Sequence, residues 1–192
     1  MTLEKYFQND ADIFRSIRIP AAKADIARLA LLYEHGGLYV DCHCGIRDQF
    51  ETRHLIAQLA TKEIILVDRR LAQEPRPPDE HFFLNSIIFS RPRSKLIFEI
   101  CQKALANFAA QRNSELAHGF VPYHIGYLSG PGLFNEIVLQ PGSSNRDVRQ
   151  DYEGRIMIIC EEYALIVRNR HRTYDVKGQH WFERQKHELL FV

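Results

Sequence analysis

Residues 21–43 read AAKADIARLALLYEHGGLYVDCH and carry the most specific structural signal in the chain. Pro20 suits a first helical turn, and the apolar residues after it recur at helical spacing, so the sequence predicts a helix that ends at Gly36–Gly37. The run Leu38–Val40 is short, aromatic and β-branched, which predicts a buried strand. Asp41 then lies at the carboxyl end of that strand, where open α/β sheets bind their ligands.

Helical and strand patterns alternate along the rest of the chain, which predicts an α/β fold in a single domain over residues 1–192. The expected elements are a helix near 51–60, a strand at 63–68, a proline-stiffened loop QEPRPPDE, a strand at 84–90, a helix at 94–111, a short helix after SGPGLF, two strands in RIMIIC and YALIVR, and a surface helix or strand in the tail.

Composition excludes several classes of function. With 45% hydrophobic and 26% charged residues the composition is that of a globular protein. A net charge of +1 gives no strong electrostatic attraction for nucleic acid or anionic lipid. No stretch approaches the ~20 apolar residues of a membrane helix, and the first residues do not resemble a signal peptide. Four cysteines are too few for a disulfide framework. We therefore expect no membrane span and a cytoplasmic location.

The cluster Asp41-Cys42-His43-Cys44 has three interpretations. A zinc-stabilised interaction module would need a second cysteine or histidine pair at the usual spacing, and none is obvious beside this cluster. In an extended segment Asp41 and His43 project to one side, where they could bind Mn²⁺ or a similar cation. Cys42 and Cys44 would then be buried as core residues. The third interpretation is a solvated strand end without any ligand.

A longer pattern surrounds this cluster. Residues 21–43 resemble the sugar-transferring glycosyltransferases with a DXD motif, the group that contains family 32 mannosyltransferases and the catalytic domains of the large clostridial toxins. Their pattern is Ser-Asp-x-x-Arg on a helix, followed by Gly-Gly-x-Tyr-x-Asp-x-Asp. The positions in register are Asp25, Arg28, Gly36, Gly37, Tyr39 and Asp41, whereas Lys23 and Ala24 depart and His43 replaces the second acid.

The resemblance implies a GT-A-like (Rossmann-like) mixed sheet flanked by helices and a metal-dependent hexosyltransferase that retains anomeric configuration. Asp41 and His43 would hold Mn²⁺ or Mg²⁺ on the diphosphate of a UDP- or GDP-hexose. Asp25 would hold sugar hydroxyls, and Arg28 would approach the sugar or diphosphate. From the residues alone, Asp25 and Arg28 could instead be a surface pair one helical turn apart.

Shorter matches follow. The resemblance implies that Asn85 and Tyr39 bind substrate, that Gly130 and Pro131 shape the acceptor side, and that the GQHW element places Trp181 near the donor. His180, in the same element, would be a further metal contact. The alternatives are ordinary: Asn85 as a strand-edge amide and Trp181 as a core anchor.

The family pattern has a nucleotide-binding portion before the Asp-x-x-Arg helix, whereas here about twenty residues precede it. We therefore expect an N-terminally shortened fold with exposed apolar surface, which favours a homo-oligomer or a partner chain. The acceptor would be a glycan, lipid or protein. The alternative function is a non-catalytic remnant that binds sugar or a protein on the same scaffold.

Overall fold

The computed structural model describes residues 10–42, 44–46, 49–68, 83–142, 147–160, 166–168, 176 and 178–192. The helices in chain order are α1 (Ala11–Ser16), α2 (Pro20–His35), α3 (Gln49–Gln58), α4 (Lys95–His118), α5 (Ile125–Leu128), α6 (Pro131–Val138) and α7 (Trp181–Arg184). The strands are β1 (Gly37–Val40), β2 (Cys44–Ile46), β3 (Ile64–Asp68), β4 (Phe83–Ser90), β5 (Ile156–Cys160) and β6 (Ile166–Arg168), and a 3₁₀ turn covers Gln150–Tyr152.

Helix α2 and strand β1 form where the sequence predicts them. Pro20 opens the helix, and Gly36 ends it with a φ of 64°, a left-handed conformation that glycine adopts readily. A side-chain carbon on Gly36 would also overlap Pro92, so this position requires glycine for space as well. The chain thereby turns from the helix directly into β1.

The main sheet has four strands in the order β1-β4-β3-β5. Strand β4 is antiparallel to both neighbours, whereas β3 and β5 are parallel, so the sheet is mixed. A second, two-stranded sheet pairs β2 with β6. Strand β1 is half-buried and not buried as expected, because it lies at the edge of its sheet.

The sheet packs against helices on both faces. Side chains alternate along β3, so Ile64 and Leu66 join the larger core with α2, α4 and α6. Ile65 and Val67 join a smaller cluster that includes Leu55 of α3. These layers give the mixed α/β architecture, with helices flanking the sheet, that is expected of a GT-A-like fold.

The pairing of β3 with β4 is irregular at one point. Leu66 pairs with Ile88, but the next residue, Val67, pairs with Leu84, so residues 85–87 leave the β3 ladder. On the other side of β4, Val40 of β1 pairs with Ile87, and the amide of Asp41 donates to the Ser86 carbonyl at 2.9 Å. The bulge therefore lies beside the end of β1.

Two expectations about the later chain are wrong in detail. Helix α4 continues beyond Gln111 to His118, and Glu115 in this extension is buried. The tail is not confined to the surface: Val192 is exposed, but Leu190 and Phe191 are buried, and their amides donate to the Glu115 carboxylate. The proline-stiffened loop lies outside the described residues. Within the described part of the chain, no helix is long and apolar enough to cross a membrane.

A buried carboxylate connects three elements at one end of the sheet. Glu63 precedes β3; its Oε1 accepts from the Ser94 hydroxyl (3.0 Å) and the Leu96 amide (2.9 Å) at the start of α4. Its Oε2 accepts from Nη2 of Arg155, next to β5, at 2.6 Å. Burial acts to raise the pKa of Glu63, but these hydrogen bonds and the Arg155 charge outweigh it and hold the pKa below its usual value.

We expect Glu63→Gln to lower the free energy of unfolding at neutral pH by about 2 kcal/mol, because the buried donors lose their charged acceptor. The stability contributed by the Glu63 charge is present above its ordinary pKa and is lost as pH falls through the lower folded-state pKa. The deficit of the variant should therefore shrink in acid. Urea titrations at several pH values measure it. Glu153→Gln, at an exposed position, is the control, and an equal loss in both variants would contradict the assignment.

Candidate functional site

Arg28 is the centre of a polar network at the opposite end of the sheet from Glu63. It lies on α2 with only 6% of its side chain exposed. Its Nη1 donates to the backbone carbonyl of Asn85 at 2.6 Å, and its Nη2 lies 3.1 Å from Oδ1 of Asp25. The same Nη2 lies 3.6 Å from Oδ1 of Asp41. One buried guanidinium thus joins α2, the bulge in β4 and the end of β1.

Asp25 accepts hydrogen bonds on both carboxylate oxygens. Oδ1 accepts from the Asn85 side-chain amide at 2.9 Å, and Oδ2 accepts from the Ser129 hydroxyl at 2.8 Å. Burial raises the pKa of Asp25, while the Arg28 charge and the Ser129 hydrogen bond oppose the rise. The surface-pair interpretation of Asp25 and Arg28 is wrong, because both side chains are buried against other elements.

Asp41 is the carboxylate through which the network reaches the surface. Its side chain is 21% exposed, and its Oδ1 accepts from the Tyr39 hydroxyl at 2.7 Å. The Arg28 guanidinium lies over the Tyr39 ring, 4.8 Å from its centroid. Burial, with the hydrogen bond to Asp41 adding to it and the Arg28 charge opposing it, raises the pKa of Tyr39 to about 12. Tyr39 therefore remains a neutral donor that orients Asp41.

The chain turns directly after Asp41. The amide of Cys44 donates to the Asp41 carbonyl at 2.9 Å, so the segment is not extended here and the predicted alternation of side chains is wrong beyond Val40. Cys42 is exposed, contrary to its expected burial, because it occupies this turn. Cys44 is half-buried against the smaller core cluster. His43 lies outside the described residues.

One described residue at the end of β1, Asp41, is chemically suited to bind a divalent cation. Asp41 offers the hard carboxylate oxygen that Mn²⁺ and Mg²⁺ prefer, and it reaches solvent. Among the residues that the structure describes, no three histidine, cysteine, aspartate or glutamate side chains form a metal-binding group. His180 caps α7, its Nδ1 accepting from the Phe182 amide at 3.3 Å. The chemistry of the Asp41 carboxylate is thus suitable for a divalent cation.

A glycine-rich turn completes the network. Gly130 is buried: a side-chain carbon there would lie 2.9 Å from the Gly126 Cα and 3.5 Å from Nδ2 of Asn85. Pro131 then begins α6. The buried Ser129 is the functional candidate that sequence analysis missed, although it stands first in the SGPG motif that predicted Gly130 and Pro131. A small residue is needed at Gly130 to keep this turn against Asn85.

Trp181 and His180 lie in a different environment. The Trp181 ring is half-buried, packs against the larger core and lies 6.5 Å from the His124 ring. The rings of His180 and Trp181 are 5.5 Å apart. None of the hydrogen bonds found in the described residues joins either side chain to Arg28. The structure therefore brings Asp25, Arg28, Tyr39, Asp41, Asn85 and Gly130 together, and places Trp181 and His180 in an aromatic group.

Comparison with known proteins relates one part of the chain to glycosyltransferases. Residues 2–62, roughly a third of the chain, match a family model described as a glycosyltransferase sugar-binding region containing a DXD motif. No curated protein shows a significant match. The matched region contains α2, β1 and Asp41, so the match supports a relation to glycosyltransferases, and with it sugar binding, at a coarse level.

We expect Arg28→Met to lower the free energy of unfolding by about 3 kcal/mol, because it leaves the buried Asp25 charge without its cation. Since Arg28 lowers the pKa of Asp25, its loss raises that pKa further, so the deficit should grow as pH rises. Urea denaturation measures this change. Arg15→Met removes an exposed ion pair and should cost under about 1 kcal/mol.

A double-variant comparison tests the pairing itself. With Asp25→Asn already present, Arg28→Met should cost clearly less than it does in the wild-type chain, because the buried charge to be compensated is gone. Additive losses would show that the Asp25–Arg28 contact does not carry the effect.

Proposed function

We propose that the chain is a metal-dependent glycosyltransferase that moves a hexose from a nucleotide-sugar to an acceptor. The observation that carries this proposal is the placement of Asp41 at the carboxyl end of β1. There it is oriented by Tyr39, lies close to the Arg28 charge and still reaches solvent. The glycosyltransferase match over residues 2–62 contains all three residues. A GT-A-like sheet flanked by helices agrees with the same assignment.

In the proposed mechanism, Asp41 and His43 would hold Mn²⁺ or Mg²⁺, which would supply positive charge to stabilise the leaving diphosphate. Tyr39 fixes the Asp41 carboxylate through its 2.7 Å hydrogen bond. Arg28 supplies a fixed positive charge whose direction is set by Asp25 and by the Asn85 carbonyl. These residues work by positioning and electrostatic preorganisation rather than by proton transfer.

The hexose would lie against Asp25 and Asn85, with Gly130 and Pro131 at the acceptor side. Because Asp25 already accepts from Asn85 and Ser129, a sugar hydroxyl must compete with these protein donors. We propose a UDP- or GDP-hexose donor, retention of the anomeric configuration, and a glycan, lipid or protein acceptor. Self-association and a cytoplasmic location remain predictions, which light scattering and localisation of the tagged chain test.

A second candidate function is a non-catalytic scaffold that binds sugar or a protein. The hydrogen bonds of Asp25 favour it, because both carboxylate oxygens already accept from protein donors and the Arg28 guanidinium compensates the charge. Under this alternative the network stabilises the fold, and Asp41 has no nucleotide-dependent role.

Calorimetric titration of UDP and GDP, with and without Mn²⁺, distinguishes these functions. We expect Mn²⁺-dependent binding of at least one nucleotide, weakened more than about tenfold in Asp41→Asn because a carboxylate ligand is lost. Asp151→Asn, at an exposed aspartate far along the chain, is the matched control and should bind as wild type does. Denaturation curves verify that each variant is folded. A folded wild-type chain that binds neither nucleotide would favour the non-catalytic function.

A further inference from the structure

Four aromatic rings form a partly exposed group on the C-terminal side of the described chain. This aromatic patch consists of His124, Tyr127, Trp181 and Phe182, and the His180 ring adjoins it, 5.5 Å from Trp181. His124 is central: its ring lies 5.1 Å from Tyr127, 6.5 Å from Trp181 and 6.4 Å from Phe182. The Trp181 and Phe182 rings are 5.8 Å apart. Tyr127 and Phe182 are 46% and 45% exposed, so part of the patch faces solvent.

The aromatic patch and the Arg28 network lie on two sides of one turn. Tyr127 packs directly against Gly132, where a side-chain carbon would overlap its ring. Gly126 contacts Gly130, and Gly130 in turn adjoins the Asn85 amide. Ser129, between them, donates to Asp25. One turn therefore connects the aromatic patch to the residues proposed to face the transferred hexose.

The chemistry of the aromatic patch is intermediate between apolar and polar. Burial lowers the pKa of His124, so the central ring is mostly neutral at pH 7 and adds no charge. The Lys186 ammonium lies 4.6 Å from the Phe182 centroid and supplies hydrogen-bond donors at the rim. The negative faces of aromatic rings attract polarised C–H groups, while donors at the edge suit hydroxyls. A pyranose ring presents both features, with an apolar C–H face and a hydroxyl rim.

We propose that the aromatic patch is a pyranose-binding subsite for the acceptor, separate from the residues that hold the donor diphosphate. This inference rests on the proposed function. The observations that select a saccharide are the small extent of the patch, its polar rim and its continuity with the Asp25 turn. A protein-docking face of standard size would need far more apolar surface than four rings provide.

Trp181 is the sole tryptophan of the chain and lies inside the patch, so its fluorescence reports on the site directly. Methyl α-glycosides of glucose, mannose and galactose are the probes, titrated into the full chain. We expect a saturable fluorescence change with at least one probe, at a roughly millimolar dissociation constant typical of a single weak contact. Saturation-transfer NMR on the same samples detects binding that leaves the fluorescence unchanged. Absence of binding by both methods would overturn the proposal.

Variants locate the binding. Tyr127→Ala and Phe182→Ala remove exposed rings and should weaken the glycoside by about tenfold, whereas Phe120→Ala, an exposed ring outside the patch, should not. Asp41→Asn should keep glycoside binding while losing Mn²⁺-dependent nucleotide binding, which separates failure of this inference from failure of the proposed function. Equal affinities in all the ring variants would show that the sugar binds elsewhere.

Competition identifies which sugar the patch holds. An acceptor subsite should bind the methyl glycoside with unchanged affinity in the presence of saturating UDP or GDP and Mn²⁺, and also in the presence of the nucleotide-sugar. Displacement by the nucleotide-sugar but not by the nucleotide would assign the patch to the donor hexose and overturn the acceptor assignment. A fluorescence change with phosphatidylcholine vesicles and none with glycosides would assign it to lipid and likewise overturn it.

Discussion

The burial of one guanidinium constrains the functional end of this molecule. A buried charge is costly unless it is paired and hydrogen-bonded, and Arg28 meets this requirement with groups from separate elements. Asp25 lies on its own helix, the Asn85 carbonyl belongs to β4, and Asp41 follows β1. The Asn85 carbonyl is available because the β-bulge releases residues 85–87 from the β3 ladder. The irregularity in the sheet and the polar site are therefore one structural feature.

The two ends of the sheet use buried ion pairs differently. At the end where β3 begins, Glu63 is paired with Arg155 and accepts from an amide at the start of α4. Groups of the protein therefore compensate its charge. At the other end, the Arg28 network extends to Asp41, which remains partly exposed. The first arrangement holds elements together. The second also presents an oriented carboxylate to solvent, which is the arrangement a cation site needs.

Local patterns predicted most of the described elements. Helix α2, strand β1 and the Gly36 ending follow from proline, glycine and apolar spacing within one segment, and the structure confirms them. Contacts between residues far apart in the chain could not be predicted from these local patterns. Ser129 contacts Asp25 across more than a hundred residues, and the burial of Phe191 depends on Glu115 in a distant helix. The predicted burial of Cys42 is wrong because the hydrogen bond from the Cys44 amide to the Asp41 carbonyl forms a turn that ends the strand.

The helix-glycine-strand unit that carries Asp25, Arg28, Tyr39 and Asp41 can be predicted from local sequence, because neighbouring residues dictate local backbone geometry. The way in which these side chains share their hydrogen bonds follows from the tertiary packing. The bulge in β4 and the turn at Ser129 bring acceptors and donors from distant segments to the buried charges. Such contacts depend on strand register and packing, which the spacing of residues along one segment does not encode.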